Sequence, residues 1–320
     1  MILDFIFLII GFVLLIKGAD LFVDGASSTA GNFKISKMLI GLTIVAFGTS
    51  APEFAVSMNS LANHSTDMLL GNVIGSNIMN ILLILGIAAV IHPINIKNNT
   101  VKKELPLTML ISTILAVLFL DTKLSNSNIN AITRGDAIVI LLFFTIFLYY
   151  LLALARKKRE EDYDEPDEQP KYNLLKSFII VVIGLLGIIF GSDIVVDSAQ
   201  SIAFRLGVSE RLIALTVIAF GTSLPELMTT IIASSKGEQD LLVGNIIGSN
   251  IFNICIVLGI PVAIYGSITP GSFQLIDIYT LVLSSIALFI FSESSRKINR
   301  VEGVLLLMFF TIYYTLVIVH

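Results

Sequence analysis

The chain has 320 residues, of which 55% are hydrophobic and 14% charged, and its net charge is −4. An ordinary soluble domain carries about 25% charged residues, so this composition excludes a water-soluble globular protein and places the chain in a lipid bilayer. No basic patch is interleaved with aromatics, which argues against nucleic acid as a partner. The single cysteine, Cys255, cannot form an intrachain disulfide and reads as a small buried apolar residue.

Apolar runs occur at 2–23, 38–61, 68–91, 105–120, 135–155, 174–196, 211–234, 240–265, 275–291 and 301–319. A helix needs about 20 residues to cross the hydrocarbon core. The chain is therefore predicted to be an all-α polytopic membrane protein with ten transmembrane helices, those at 105–120 and 275–291 being the short ones. The first run lacks a basic leading segment and a small-residue cleavage site, so it is read as a span and not as a removable signal. Lys17, inside that run, is expected to snorkel or to make a local contact.

Between the fifth and sixth runs lies "RKKREEDYDEPDEQPKYN", residues 156–173, a charged segment with two prolines. It is predicted to be a flexible cytoplasmic linker between two units, 1–155 and 174–320. With an outside N-terminus the cytoplasmic loops hold fifteen Lys and Arg residues, and the other side holds only Lys123, Arg134, Arg205 and Arg211. Both termini are expected to be extracytoplasmic.

The two units are copies of one design. "KGADLFVDGASSTA" from Lys17 aligns with "GSDIVVDSAQSIA" from Gly191, and a constant offset of 173 relates Glu53 to Glu226, Asn72 to Asn245, Ser76 to Ser249 and Asn80 to Asn253. "GLTIVAFGTSAPE" and "ALTVIAFGTSLPE" share nine of thirteen positions, and "GNVIGSNIMNI" and "GNIIGSNIFNI" share nine of eleven. Five spans per unit is an odd number, so the second copy enters the bilayer from the opposite side. Inverted five-helix repeats place a binding site near the midplane, where matching interrupted helices meet.

A charged residue at the bilayer centre costs about 2.5 kcal/mol or more, and such residues usually mark a site. Glu53 and Glu226 lie mid-span with no basic residue deep enough to neutralise them, so bound cations are expected. Pro52 and Pro225 withhold a donor from the carbonyls of Gly48 and Gly221. The carbonyls of Ala46, Thr49, Ala219 and Thr222 are expected as free acceptors, and Thr49, Ser50, Thr222 and Ser223 add hydroxyl oxygen. Hard oxygen ligands without sulfur or imidazole suit Ca²⁺, which takes about six to eight oxygens, or Na⁺, and disfavour zinc and copper. Asn72, Ser76 and Asn80, with Asn245, Ser249 and Asn253, recur every fourth residue on one helix face, which is expected to look onto the glutamates. Gly71, Gly75, Gly244 and Gly248 are expected to pack helices closely. Asp20, Asp24, Asp193 and Asp197 are expected to cap helices or bond loops, and His64, His92 and His320 are given no role.

The doubled "AFGTS(A/L)PE" with doubled "GN(V/I)IGSN" resembles the alpha-repeats of the cation/calcium antiporter superfamily, most closely its prokaryotic sodium/calcium exchangers. The resemblance implies an antiporter of the prokaryotic cell membrane that transports Ca²⁺ and Na⁺ without a cofactor, an enzymatic step or an obligate protein partner. It implies that Glu53 and Glu226 are shared by both ions. Thr49, Ser50, Thr222, Ser223, Ser76 and Ser249 would flank them, with the Ala46 and Ala219 carbonyls, and Asn80 and Asn253 would stand at the middle. Some relatives carry aspartate at the Asn253 position, an acid associated with potassium coupling, so Asn253 argues against that alternative. Proton-coupled relatives usually show glutamate after the "GN" segment, whereas glycine, serine and asparagine follow here. A cation channel fits paired broken helices less well than alternating access does. An intramembrane protease is disfavoured because no H-E-x-x-H motif occurs and no histidine lies within a span.

Overall fold

The computed structural model describes residues 2–120, 122, 130–160, 170–208, 219–269 and 275–319. The chain enters as α1 (Ile2–Phe33), then a pair of helices, α2 (Lys37–Thr49) and α3 (Ala51–Ala62), bent by 45° at their junction. It continues as α4 (Thr66–Ile91), α5 (Leu105–Leu118) behind a π turn at Thr100–Glu104, and α6 (Arg134–Glu160). The second half runs through α7 (Leu174–Arg205), a single turn Ala219–Gly221, α8 (Leu224–Ser235), α9 (Gln239–Tyr265), α10 (Leu275–Ser295) and α11 (Arg300–Val319). Among the described residues seven helices are long and apolar enough to cross a membrane, or eight if the bent pair counts as one span. The predicted seventh run begins at 211–218, outside the described residues, as does 161–169 of the predicted linker. The first residues of that linker, 156–160, continue α6 as helix.

α1 and α7 each run about ten residues beyond their apolar stretches, because the polar residues that follow are compatible with helix. α1 stops only where Lys34 takes a left-handed φ of 54°, and α7 starts at Asn173, whose side chain accepts the Lys176 N–H at 2.9 Å. The two helices lie against each other at backbone contact. A Cβ added to Gly18 would sit 2.6 Å from the Ile188 nitrogen, and one added to Gly184 would sit 2.5 Å from the Phe22 nitrogen. Such close crossings gain dispersion contact that larger residues would prevent. α4 and α9 are the buried centre, while α1, α6, α7 and α11 turn apolar side chains such as Leu142, Leu175, Ile183 and Ile312 outward, as lipid contact requires. Lys17 is exposed on α1. Cys255 is buried, as expected.

Asp20, Asp24, Asp193 and Asp197 lie inside α1 and α7 and cap neither helix, which corrects the capping half of the expectation, while Asp20 and Asp24 do bond loop residues, as the other half expected. Lys236 reaches Asp20 at 2.7 Å and Asp24 at 2.6 Å, and Lys171 reaches Asp24 at 2.6 Å. The bond from Asp24 holds the Lys171 ammonium above its ordinary pKa. Asp193 and Asp197 are exposed, and the position matching Lys236 in the first half is Asn63.

One end of the molecule gathers several loops. β1 (Ile94–Asn95) and β2 (Lys297–Ile298) pair antiparallel, and Lys37–Glu238 at 3.0 Å and Lys97–Asp240 at 2.7 Å close the same end. The loops that the Lys and Arg pattern assigns to one side are therefore together. The opposite end is held by the Ile132–Ile268 bridge and by Asp4 with Arg205 at 3.5 Å.

Candidate ion-binding site

The two "FGTS" segments break their helices at the same repeated serine. Ser50 (φ −86°, ψ 8°) and Ser223 (φ −90°, ψ 2°) both leave helical geometry, and each is followed within two residues by a proline in the first turn of the next helix. Proline suits that position because its missing N–H would be unbonded there anyway. Glu53 and Glu226 then fall in the first turns of α3 and α8, where the helix N-terminus favours negative charge.

The structure brings nearly all the predicted ligands into one buried cluster. Thr49, Ser50, Glu53, Ser76, Asn80, Ser223, Glu226, Ser249 and Asn253 are all at most 3% exposed, and Thr222 is half-buried. Ser50 donates to Glu226 Oε1 at 3.0 Å, Thr49 donates to Asn245 Oδ1 at 3.2 Å, and Ser223 and Ser76 hydroxyls meet at 3.4 Å. These contacts link residues more than 140 positions apart, so both halves build the site. Asn80 and Asn253 lie in π-helical turns, Met79–Ile84 and Asn253–Leu258, a distortion common at functional positions.

The charge of the cluster is unbalanced. Both oxygens of Glu53, Glu226 Oε2, Asn80 Oδ1, Asn253 Oδ1 and the Ser249 hydroxyl are buried without a hydrogen-bond partner. Burying acceptors without donors costs free energy, and buried charges are normally paired or bound to metal. The set is rich in oxygen acceptors and holds no basic side chain, so it matches a hard cation. Among the described residues no group of three or more His, Cys, Asp or Glu could hold a metal. A cation here would be bound by two carboxylates and otherwise by neutral oxygen.

Three details differ from the sequence expectation. The Ala46 carbonyl is not a free acceptor, because it takes the Ser50 N–H at 3.0 Å and the Thr49 hydroxyl at 3.4 Å. In the second half the Ser223 N–H turns instead to the Phe220 carbonyl at 3.2 Å, which does not occupy Ala219. Asn72 supports the site from behind: its amide donates to the Glu53 carbonyl and to Ser57 Oγ, both at 2.9 Å. Of the motif glycines, Gly248 packs as expected, since an added Cβ would sit 2.7 Å from Ala46 Cβ, but Gly75 would meet nothing within 4 Å among the described residues.

Sequence reasoning missed Asn77 and Asn250. Both are buried, and Asn250 Oδ1 accepts the Asn80 amide at 3.0 Å. The signal was present, because both asparagines stand in the repeated "GSN". It also missed Ser192, whose hydroxyl donates to the Gly221 carbonyl at 3.0 Å.

A bundle of apolar helices around a shared acidic, oxygen-lined core defines a membrane transporter of cations. Comparison with known proteins narrows the class. The sodium/calcium exchanger protein family matches residues 3–153 and 176–319. The putative antiporter CaxA of Alkalimonas amylolytica is 41% identical over 317 residues, covering 98% of each chain. Inner membrane protein YrbG of Escherichia coli is 36% identical, over 96% of this chain and 94% of its own. A structure of the sodium-calcium exchanger NCX_Mj, soaked with Na⁺ and Ca²⁺, superposes with a TM-score of 0.82 at 32% identity, covering 98% of this chain and 97% of that one. The chain belongs to the sodium/calcium exchanger family, an integral membrane family of cation/calcium antiporters and not of enzymes.

Proposed function

We propose that the protein exchanges Na⁺ for Ca²⁺ by alternating access, with both ions bound around Glu53 and Glu226. The observation that carries this reading is the pool of buried, unpartnered oxygens on those glutamates and on Asn80, Asn253 and Ser249. Thr49, Ser50, Thr222, Ser223, Ser76 and the Ala219 carbonyl complete the ligand set in this reading, and the Ala46 carbonyl, already accepting two hydrogen bonds, does not. Two carboxylates give the site a charge of about −2, which one Ca²⁺ balances and which several Na⁺ balance or exceed. The two loads compete for the same oxygens, and a site without an ion leaves bare carboxylates in a low-dielectric setting that resists closure. Competition combined with two access states produces exchange.

Ten spans in two inverted repeats, with both termini outside, fit the geometry. Ser112 and Ser285 are counterparts in the two halves, 173 residues apart, and they hydrogen bond to each other at 3.0 Å. Their helices run in opposite directions, since α5 leaves and α10 approaches the end closed by β1 and β2. Counterparts that meet on antiparallel helices support the reading of two halves related by a pseudo-twofold axis in the membrane plane. The test is Ca²⁺ uptake by proteoliposomes against imposed Na⁺, K⁺ or H⁺ gradients, with Glu53→Gln and Glu226→Gln as controls. A Na⁺ gradient is expected to drive uptake and both variants to stop it; near-normal flux in either variant would overturn the assignment.

A further inference from the structure

Pro225 cannot donate to the carbonyl of Gly221, four residues earlier, and the structure supplies a substitute donor. Ser192 on α7, only 4% exposed, donates its hydroxyl to that carbonyl at 3.0 Å. The first half has the same proline, Pro52, and the same glycine, Gly48, but the counterpart of Ser192 is Ala19, which is fully buried and has no hydroxyl. An added Cβ on Gly48 would meet the Phe22 ring and Leu185 at 3.2 Å, so apolar side chains fill that neighbourhood. The two breaks therefore differ in their covalent chemistry, in contrast to Thr49/Thr222, Ser50/Ser223 and Glu53/Glu226, which are identical pairs.

We infer that Ser192 is a positioning residue that biases the carrier toward the access state seen here. This rests on the alternating-access reading above. In a carrier built from inverted halves, the second access state is reached when the halves exchange conformations. The capped break of the second half would then pass to the first, where the carbonyl of Gly48 would need a hydroxyl from position 19. Ala19 cannot give one. The hydrogen bond that stabilises the second-half break here therefore has no counterpart in the exchanged state, and it is available on one side of the cycle only. Ser192 touches neither ion nor carboxylate; it acts through the backbone of the break.

A net hydrogen bond of ordinary strength corresponds to about a two- to twelvefold change in an equilibrium. The apparent affinity measured from each face scales with the fraction of carriers open to that face. The experiment reads the ratio of half-saturating Ca²⁺ concentrations at the two faces of proteoliposomes with sorted orientation. Ser192→Ala is expected to shift this ratio about two- to twelvefold toward the opposite state, and Ala19→Ser to shift it in the same direction. The double variant is expected to show the product of both shifts, and Ser192→Thr, which keeps the hydroxyl, to retain the wild-type ratio. A purely structural role would lower flux or heat stability equally from both faces and leave the ratio unmoved, and that result overturns the inference. Wild-type protein without Na⁺-driven Ca²⁺ exchange would overturn the alternating-access reading as well, so the two failures are distinguishable.

Discussion

In one half of the site Ser50 gives its hydroxyl to Glu226, whereas its counterpart Ser223 gives its hydroxyl to Ser76 and leaves both oxygens of Glu53 unbonded. Thr49 reaches across to Asn245, and the Ser50 N–H bonds four residues back while the Ser223 N–H bonds three back. The residues concerned are the same in both halves, so the difference reflects conformation and not composition. Identical sequences held in two arrangements within one molecule are what a two-state carrier of inverted halves is expected to show.

The strongest way to break this comparison is to remove its charges. Supporting residues around a bound metal typically contribute about 10- to 100-fold to affinity, so Glu53→Gln and Glu226→Gln, which alter the ligands themselves, are each expected to reduce Na⁺-driven Ca²⁺ flux by at least about 100-fold. Equal losses would mark one shared site; a loss confined to Glu226 would mean that the unbonded Glu53 does not bind the ions. A smaller effect separates the serines. A hydrogen bond to a charged group contributes about 1.5–3 kcal/mol, so Ser50→Ala should weaken apparent Ca²⁺ affinity by about tenfold or more. Ser223→Ala, which removes only a 3.4 Å hydroxyl contact in this state, should weaken it less when measured from the same face.

Stability sharpens the comparison next. Overpacking a tight contact costs about 1–3 kcal/mol. Gly248→Ala places a methyl 2.9 Å from Leu42 Cα and should lower the thermal midpoint in detergent by several degrees relative to wild type. Equal midpoints would mean that the helices relax at no cost. The smallest effect belongs to Lys236, which pairs with Asp20 and Asp24 in one half only. Partly exposed pairs are worth about 0.2–1 kcal/mol and weaken with salt, so Lys236→Gln should change flux by less than about fivefold, with the change fading at high ionic strength. A large, salt-insensitive loss would assign Lys236 a role beyond this pairing.

The core of the site was legible in the sequence because repetition exposed it. Glu53 and Glu226, the proline two positions after each serine, and the amide-bearing "GSN" segments all recur at one offset, and the structure gathers them. Helix length was less legible. Hydropathy registers the end of apolar character, but Asp24 and the residues after it continue α1 as helix, and Asp24 meets Lys236 and Lys171 from distant segments. The Ala46 carbonyl was misread for a related reason: the missing proline donor frees Gly48, and the Ser50 N–H still returns to Ala46. Asymmetry of state could not be read at all, since pairs such as Ser50 and Ser223 are the same letter. Ser192 opposite Ala19 is the exception, a difference that stands in the alignment and acquires meaning only beside the Gly221 carbonyl.

The short ribbon of Ile94–Asn95 and Lys297–Ile298 joins segments from opposite halves, and the isoleucines on it are buried beneath the surface. Stitched along that edge, the two halves resist parting like the covers of a book. Any relative movement of the two halves has to bend or break the backbone pairing along that seam.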